Sequence, residues 1–222
     1  MNFLSHGRNA LHDPWLLAGT QLPDWLSASD RRSRLVRERV LAAVAHDDGP
    51  TRMLAAGVRA HLDDDVWFHG SAAFFEVNGE LTRRIRARFS EDRRLRASFL
   101  GHVLLEVLLD AHLMERHSGM IDRYYEVLAQ VDGERVRALA SAWTTEPPRR
   151  LGELIERFRR SEFLRGYASD EGVVLRLDGL LSRVRQPMLP PGFVELLPSA
   201  RRLVYERADD LLTPPGAAST PS

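Results

Sequence analysis

The chain has 222 residues, of which 44% are hydrophobic, and its 31 basic and 31 acidic residues cancel to no net charge. That length supports one domain with a real core, or one domain plus a small C-terminal extension; the neutral balance argues against nucleic acid as a partner, since such binding leans on excess positive charge. There is no cysteine and every basic residue is arginine, which excludes disulfides, thiolate nucleophiles, sulfur-ligated metals, Schiff-base lysines and a P-loop lysine.

No Gly-rich phosphate loop and no GxSxG elbow occurs. No apolar run reads as long enough to span a bilayer. The opening MNFLSHGRNA lacks a basic segment followed by a long apolar stretch, so a cytoplasmic protein with no membrane partner is expected.

Helical periodicity dominates and alternating β-branched runs are scarce, so the expected fold is all-α, a compact multi-helix bundle. Asp13-Pro14 reads as an N-cap with proline at the first helical position. The short helix that follows is expected to break near Gly19, and Pro23 to set a turn that carries Asp24. Residues 30–45 read as an amphipathic helix with Leu35, Val36, Val40, Leu41 and Val44 inward. A loop spans His46 to Pro50, and Thr51 caps a long helix running to about Phe68. Gly70 and Asn78-Gly79 read as breaks, with a further helix over 80–88. Residues 92–117 form the most hydrophobic helix, ended by Gly119, and helices follow over 120–131 and 133–142. Glu146-Pro147-Pro148 is the best internal boundary. It separates a helical metal-binding core over 1–145 from C-terminal helices near 149–166, 170–184 and 192–212 that pack on it. The tail 213–222 is small and Pro-rich, with the composition of a disordered segment. Arginines 83, 84, 86 and 88, then 93, 94 and 96, read as a solvated helix face.

The chemistry concentrates in two stretches. In FLGHVLLEVLLDAHL, His102, Glu106 and Asp110 fall at i, i+4 and i+8 and share one face of a helix that is apolar nearly all round. Burying carboxylates without a partner costs several kcal/mol each, so something positive must face them. In GVRAHLDDDVWFHG, His61, Asp65 and His69 repeat the spacing. Nitrogen and oxygen ligands suit manganese, iron or zinc. A divalent cation, one ion or two, answers both stretches. The structural alternative is arginine, from Arg37, Arg39 or Arg59. His6, in an apolar N-terminal segment, and Asp24 complete the candidate ligand set.

These segments resemble the acyl carrier protein phosphodiesterase family of HD-like helical metal hydrolases. MNFLSH is similar to that family's MNFLAH, with His6 matching. Residues Gly19 to Trp25 resemble its GNxxxDF, placing Asp24 on the motif aspartate. Residues Gly57 to Asp65 resemble GIxxHRxID, matching His61 and Asp65. Residues Leu105 to Asp110 resemble LDxxxD, with Glu106 in place of the first aspartate. The likeness covers about residues 1–130. Leu62 replaces an arginine, His69 and Ser71 stand where the family has the aspartate and histidine of TDSHP, and Ala111 follows Asp110 in place of a histidine.

The resemblance implies an HD-like fold and a metal-dependent phosphodiesterase in which metal-activated water attacks a phosphoester, with holo-acyl carrier protein as the family's substrate. The candidate ligands are His6, Asp24, His61, Asp65, His69, His102, Glu106 and Asp110. Asp24 is the candidate catalytic residue, serving both metal and water. Arg8 and Arg59 are the candidates for binding phosphate. Two other classes fit the composition: a non-catalytic helical metal-binding or interaction protein, and a di-metal oxidase in a helical bundle. The oxidase class typically carries Glu-x-x-His pairs, which this sequence lacks.

Overall fold

A computed structural model describes residues 1–46, 48–91 and 95–214. Asp47, Arg93, Arg94 and most of the Pro-rich tail lie outside the described residues. The fold is all-α, and the described residues carry only one isolated β-bridge, between Leu35 and Thr144. Contacts divide the chain into two units, each discontinuous in sequence. One comprises Phe3–Asp65 and Gly119–Phe163; the other comprises Met1–Asn2, Val66–Ser118 and the chain from Leu164 on. The Glu146-Pro148 break falls inside the first of these.

The first unit is built from α1 (Phe3–Gly7), α2 (Pro14–Ser29), α3 (Arg37–Val44), most of α4 (Gly49–Gly70), α7 (Met120–Leu128), α8 (Gly133–Ser141) and α9 (Leu151–Ser161). The Asp13 carboxylate accepts from the Trp15 and Leu16 backbone N–H groups, both at 2.8 Å, and Pro14 opens α2. This is the expected start, but not the expected end: α2 continues through Gly19 and Pro23 to Ser29, so Asp24 lies inside a helix and not on a turn. The reason is packing. A Cβ on Gly19 would stand 2.1 Å from the Leu54 carbonyl oxygen, and one on Gly57 would stand 2.2 Å from that of Leu16. The two glycines let the backbones of α2 and α4 touch, so here glycine marks a crossing and not a helix end.

The helix expected over 30–45 is shorter, because residues 34–36 pair with 143–145. Val36 N–H donates to the Trp143 carbonyl at 2.7 Å, and Thr145 N–H to that of Arg34 at 2.9 Å. Val40 is buried as expected, whereas Leu41 is exposed. Asp48, and not Thr51, caps α4, its carboxylate accepting from the Thr51 N–H at 2.9 Å.

The other unit holds the end of α4, α5 (Ala72–Arg88), α6 (Ala97–Arg116), α10 (Asp170–Arg183), α11 (Leu197–Glu206) and α12 (Ala208–Leu212), with 3₁₀ turns at Phe163–Ala168 and Phe193–Leu196. α6 packs on α5, α10 and α11. The break expected at Asn78-Gly79 does not occur. Ala73, Phe74, Val77, Leu81 and Ile85 are buried on α5 at helical spacing on both sides of it, and that stripe outweighs one glycine's propensity cost of about 1 kcal/mol. By length and composition α6 is apolar enough to cross a membrane, which differs from the sequence expectation; most of it is buried inside the protein, as in a core helix.

Candidate functional site

Six of the eight candidate ligands converge, as two groups of three. His6, His61 and Asp65 form one group and His69, His102 and Glu106 the other; within each, one ligand atom per residue lies within 4.8 Å of the others. Asp24 and Asp110 belong to neither.

The first group is assembled by α1 and α4. The glycine crossing brings the Thr20 carbonyl of α2 against His61, whose Nδ1–H donates to it at 2.8 Å. A carbonyl can only accept, so Nδ1 carries a proton and Nε2 is the nitrogen that points inward. There it meets Asp65 Oδ2 at 3.4 Å. The His6 ring stacks on His61, centroids 3.7 Å apart, and turns its own Nε2 to Asp65 Oδ1 at 3.3 Å. His6 is buried, and neither of its nitrogens makes a hydrogen bond. Burial pushes the His6 pKa down, but the flanking Asp64 and Asp65 carboxylates outweigh it and leave the pKa raised. Burial likewise pushes Asp65 up, and the His6 and His61 imidazoles outweigh that, holding Asp65 well below the usual carboxylate range.

The second group is built by the last turn of α4 and by α6, where His102 and Glu106 are one turn apart. His69 Nε2 lies 3.2 Å from His102 Nε2, and Glu106 Oε1 lies 2.9 Å from His102 Nε2 and 3.5 Å from His69 Nε2. The Phe74 ring makes T-shaped contacts with both imidazoles, centroids 5.0 and 5.1 Å apart. The Met1 amine lies 3.1 Å from Glu106 Oε1. Burial pushes Glu106 up, but that ammonium and the two histidines outweigh it and keep the carboxyl well below its ordinary range.

These spacings fit a metal. Tetrahedral bonds of zinc to nitrogen or oxygen imply ligand atoms roughly 3.3–3.4 Å apart, and the pairs above run from 2.9 to 3.5 Å. The buried His6 Nε2, which makes no hydrogen bond, is what such an ion satisfies; in the second group the same distances also suit a hydrogen bond from His102 Nε2–H to Glu106 Oε1 at 2.9 Å. The groups differ in access. In the first the His6 and His61 side chains are 0% and 3% exposed and Asp65 is 36% exposed; in the second the His69 and His102 side chains are 35% and 38% exposed and Glu106 17%.

Asp24, inside α2, acts on His6 through its charge. Asp110 is fully buried and acts on the buried Tyr167 phenol. Arg8 Nη1 donates to Asp64 Oδ2 at 2.9 Å and to the Ser5 carbonyl. Arg59 is exposed on α4. Of the arginines weighed as counter-charges, Arg37 reaches Asp63 at 3.5 Å and Arg39 the Thr144 carbonyl. Sequence reasoning passed over Asp64, which stands 3.5 Å from His6 Nδ1. The signal was the run Asp63-Asp64-Asp65, in which Asp64 at i+3 and Asp65 at i+4 both share the His61 face.

No family model, curated protein or solved structure matches this chain.

Proposed function

We propose that the protein is a metal-dependent phosphohydrolase acting on a phosphodiester, with divalent manganese, iron or zinc held by His6, His61 and Asp65 and by His69, His102 and Glu106. The observation that carries this reading is the meeting of imidazole Nε2 atoms and carboxylate oxygens at ligand spacing in both groups. The likeness of the motif segments to acyl carrier protein phosphodiesterases supports the substrate class.

The chemistry a bound ion supplies is Lewis-acid activation of water and neutralisation of phosphoryl charge. The second group opens to solvent through its imidazoles, His69 and His102, and the first through its carboxylate, Asp65. Arg8, expected to meet a phosphate, is instead engaged by Asp64 and the Ser5 carbonyl beside the first group. Asp24, the expected base, acts on His6 through its charge and belongs to neither ligand group, so no residue is assigned to take the proton from the attacking water.

A second reading is a non-catalytic helical protein, favoured by the Arg8–Asp64 ion pair and by the raised pKa of His6, which supply positive charge without a metal. Metal analysis of the purified protein, with assays on bis-p-nitrophenyl phosphate and holo-acyl carrier protein, separates the two. The hydrolase reading expects bound divalent metal, and turnover that falls at least 100-fold in His102→Ala and Glu106→Gln while the circular dichroism is unchanged. A metal-free protein whose melting temperature ignores added manganese and zinc establishes the second reading.

A further inference from the structure

We infer that Asp64 is a positioning residue, which holds the His6 proton on Nδ1 and so presents Nε2 as a ligand atom. This rests on the metal reading of the His6, His61 and Asp65 group.

An imidazole that ligates through one nitrogen needs an acceptor for the proton on the other; without it the ring is free to turn and to change tautomer. His61 has that acceptor in the Thr20 carbonyl, at 2.8 Å from Nδ1. The stacked His6 ring presents its Nε2 to the same Asp65 carboxylate, so its Nδ1 faces outward, and the group it faces is Asp64 Oδ2 at 3.5 Å. His6 is buried and neither of its nitrogens makes a hydrogen bond, so Asp64 faces Nδ1 as an ion-pair partner at 3.5 Å. Asp64 is in turn held from behind: Arg8 Nη1 donates to the same Oδ2 at 2.9 Å, and Arg8 is itself tied to the Ser5 carbonyl one residue before His6. The result is a chain of contacts, Arg8 to Asp64 to His6 Nδ1, that parallels the Thr20 carbonyl to His61 Nδ1. Each imidazole thus faces a polar group on its outer nitrogen, His61 by a hydrogen bond to the Thr20 carbonyl and His6 by the Asp64 carboxylate at 3.5 Å, and both inner nitrogens meet the two oxygens of one carboxylate.

Zinc alone is the probe, in a His102→Ala background that disables the second group. Its affinity is read by competition with a chromophoric chelator. Asp64→Ala is expected to weaken zinc binding roughly 10- to 100-fold, the range seen when the outer partner of a ligating histidine is removed. Asp64→Asn, whose amide oxygen still accepts, restores most of the loss. Nitrogen-15 NMR of the zinc-loaded parent is expected to show a proton on His6 Nδ1 protected from exchange, and Asp64→Ala to lose that protection. Zinc bound as tightly by Asp64→Ala as by the parent overturns the inference, and so does an unprotected Nδ1 proton in the parent, a measurement that needs no variant. A parent that binds no zinc at this group overturns the metal reading itself and this inference with it, an outcome distinct from the other two.

Discussion

His61 is fixed by Thr20: its Nδ1–H donates to the Thr20 backbone carbonyl at 2.8 Å, across a crossing of two helices whose backbones touch at Gly19 and Gly57. The ligand direction of a side chain on α4 therefore depends on the absence of two methyl groups. Gly57→Ala places a Cβ 2.2 Å from the Leu16 carbonyl oxygen, a clash with backbone that cannot be relieved by a rotamer change. The expected cost is about 3 kcal/mol or more, in the range of severe core overpacking. Urea denaturation checks this, and zinc titration of the variant should show loss at the His6 group with the His69 group retained.

Gly79 gives the opposite expectation. It lies inside α5 with open space where a Cβ would go. Gly79→Ala should stabilise the protein by about 0.5–1 kcal/mol, through helix propensity and a less flexible unfolded chain. A rise in urea midpoint with an unchanged slope is the signature.

The metal-free protein should have a stability optimum on the acid side of neutrality. His6 has its pKa raised in the fold, so its contribution is complete below the unfolded value of about 6.5 and is lost as pH rises through the folded value. Asp65 is depressed, so its contribution is complete above about pH 4 and fades as pH falls further. In chelator, the melting temperature should decline from pH 6 upward, and His6→Ala should flatten that decline. Saturating zinc should reverse the slope, because ligation requires His6 to give up a proton.

Tyr167 predicts a second loss at high pH. Burial pushes its phenol up to about 12 from an ordinary value of 10. The neutral phenol is the form the fold holds, so this contribution is complete below pH 10 and disappears between about pH 10 and 12. Two units correspond to about 3 kcal/mol. Tyr167→Phe should remove that alkaline step, read by urea denaturation at pH 9, 10 and 11.

The all-helical architecture was legible because 3.6-residue apolar periodicity survives in single stretches of sequence, as in the α5 stripe from Ala73 to Ile85. Four of the converging ligands were legible for a related reason: i, i+4 spacing put His61 with Asp65, and His102 with Glu106, one turn apart, but it also put His69 with His61 and Asp65, whereas His69 meets His102 and Glu106. The same argument grouped Asp110 with them. Asp110 lies two turns beyond His102, about 12 Å along the axis, where the neighbour on which it acts is Tyr167. Spacing along one helix says which face a residue occupies and nothing about which element meets that face at each turn. Gly19, Pro23 and Gly79 were read as terminators because their local cost is visible in sequence, whereas the packing that offsets it comes from residues far away. Asp64 and the Thr20 carbonyl escaped for the same reason, since both act across contacts distant in sequence.

The interleaving of the two units bears on how the chain folds as it is made. The unit that opens with α1 is not complete until Phe163 has been synthesised, and the other needs the helices after Leu164 to cover α6. An emerging chain that has reached α6 therefore displays the most apolar helix of the protein with its later partners still missing, the condition that invites chaperone capture or aggregation. Ribosome-bound intermediates stalled between residues 120 and 160 should accordingly be more sensitive to protease than the finished chain.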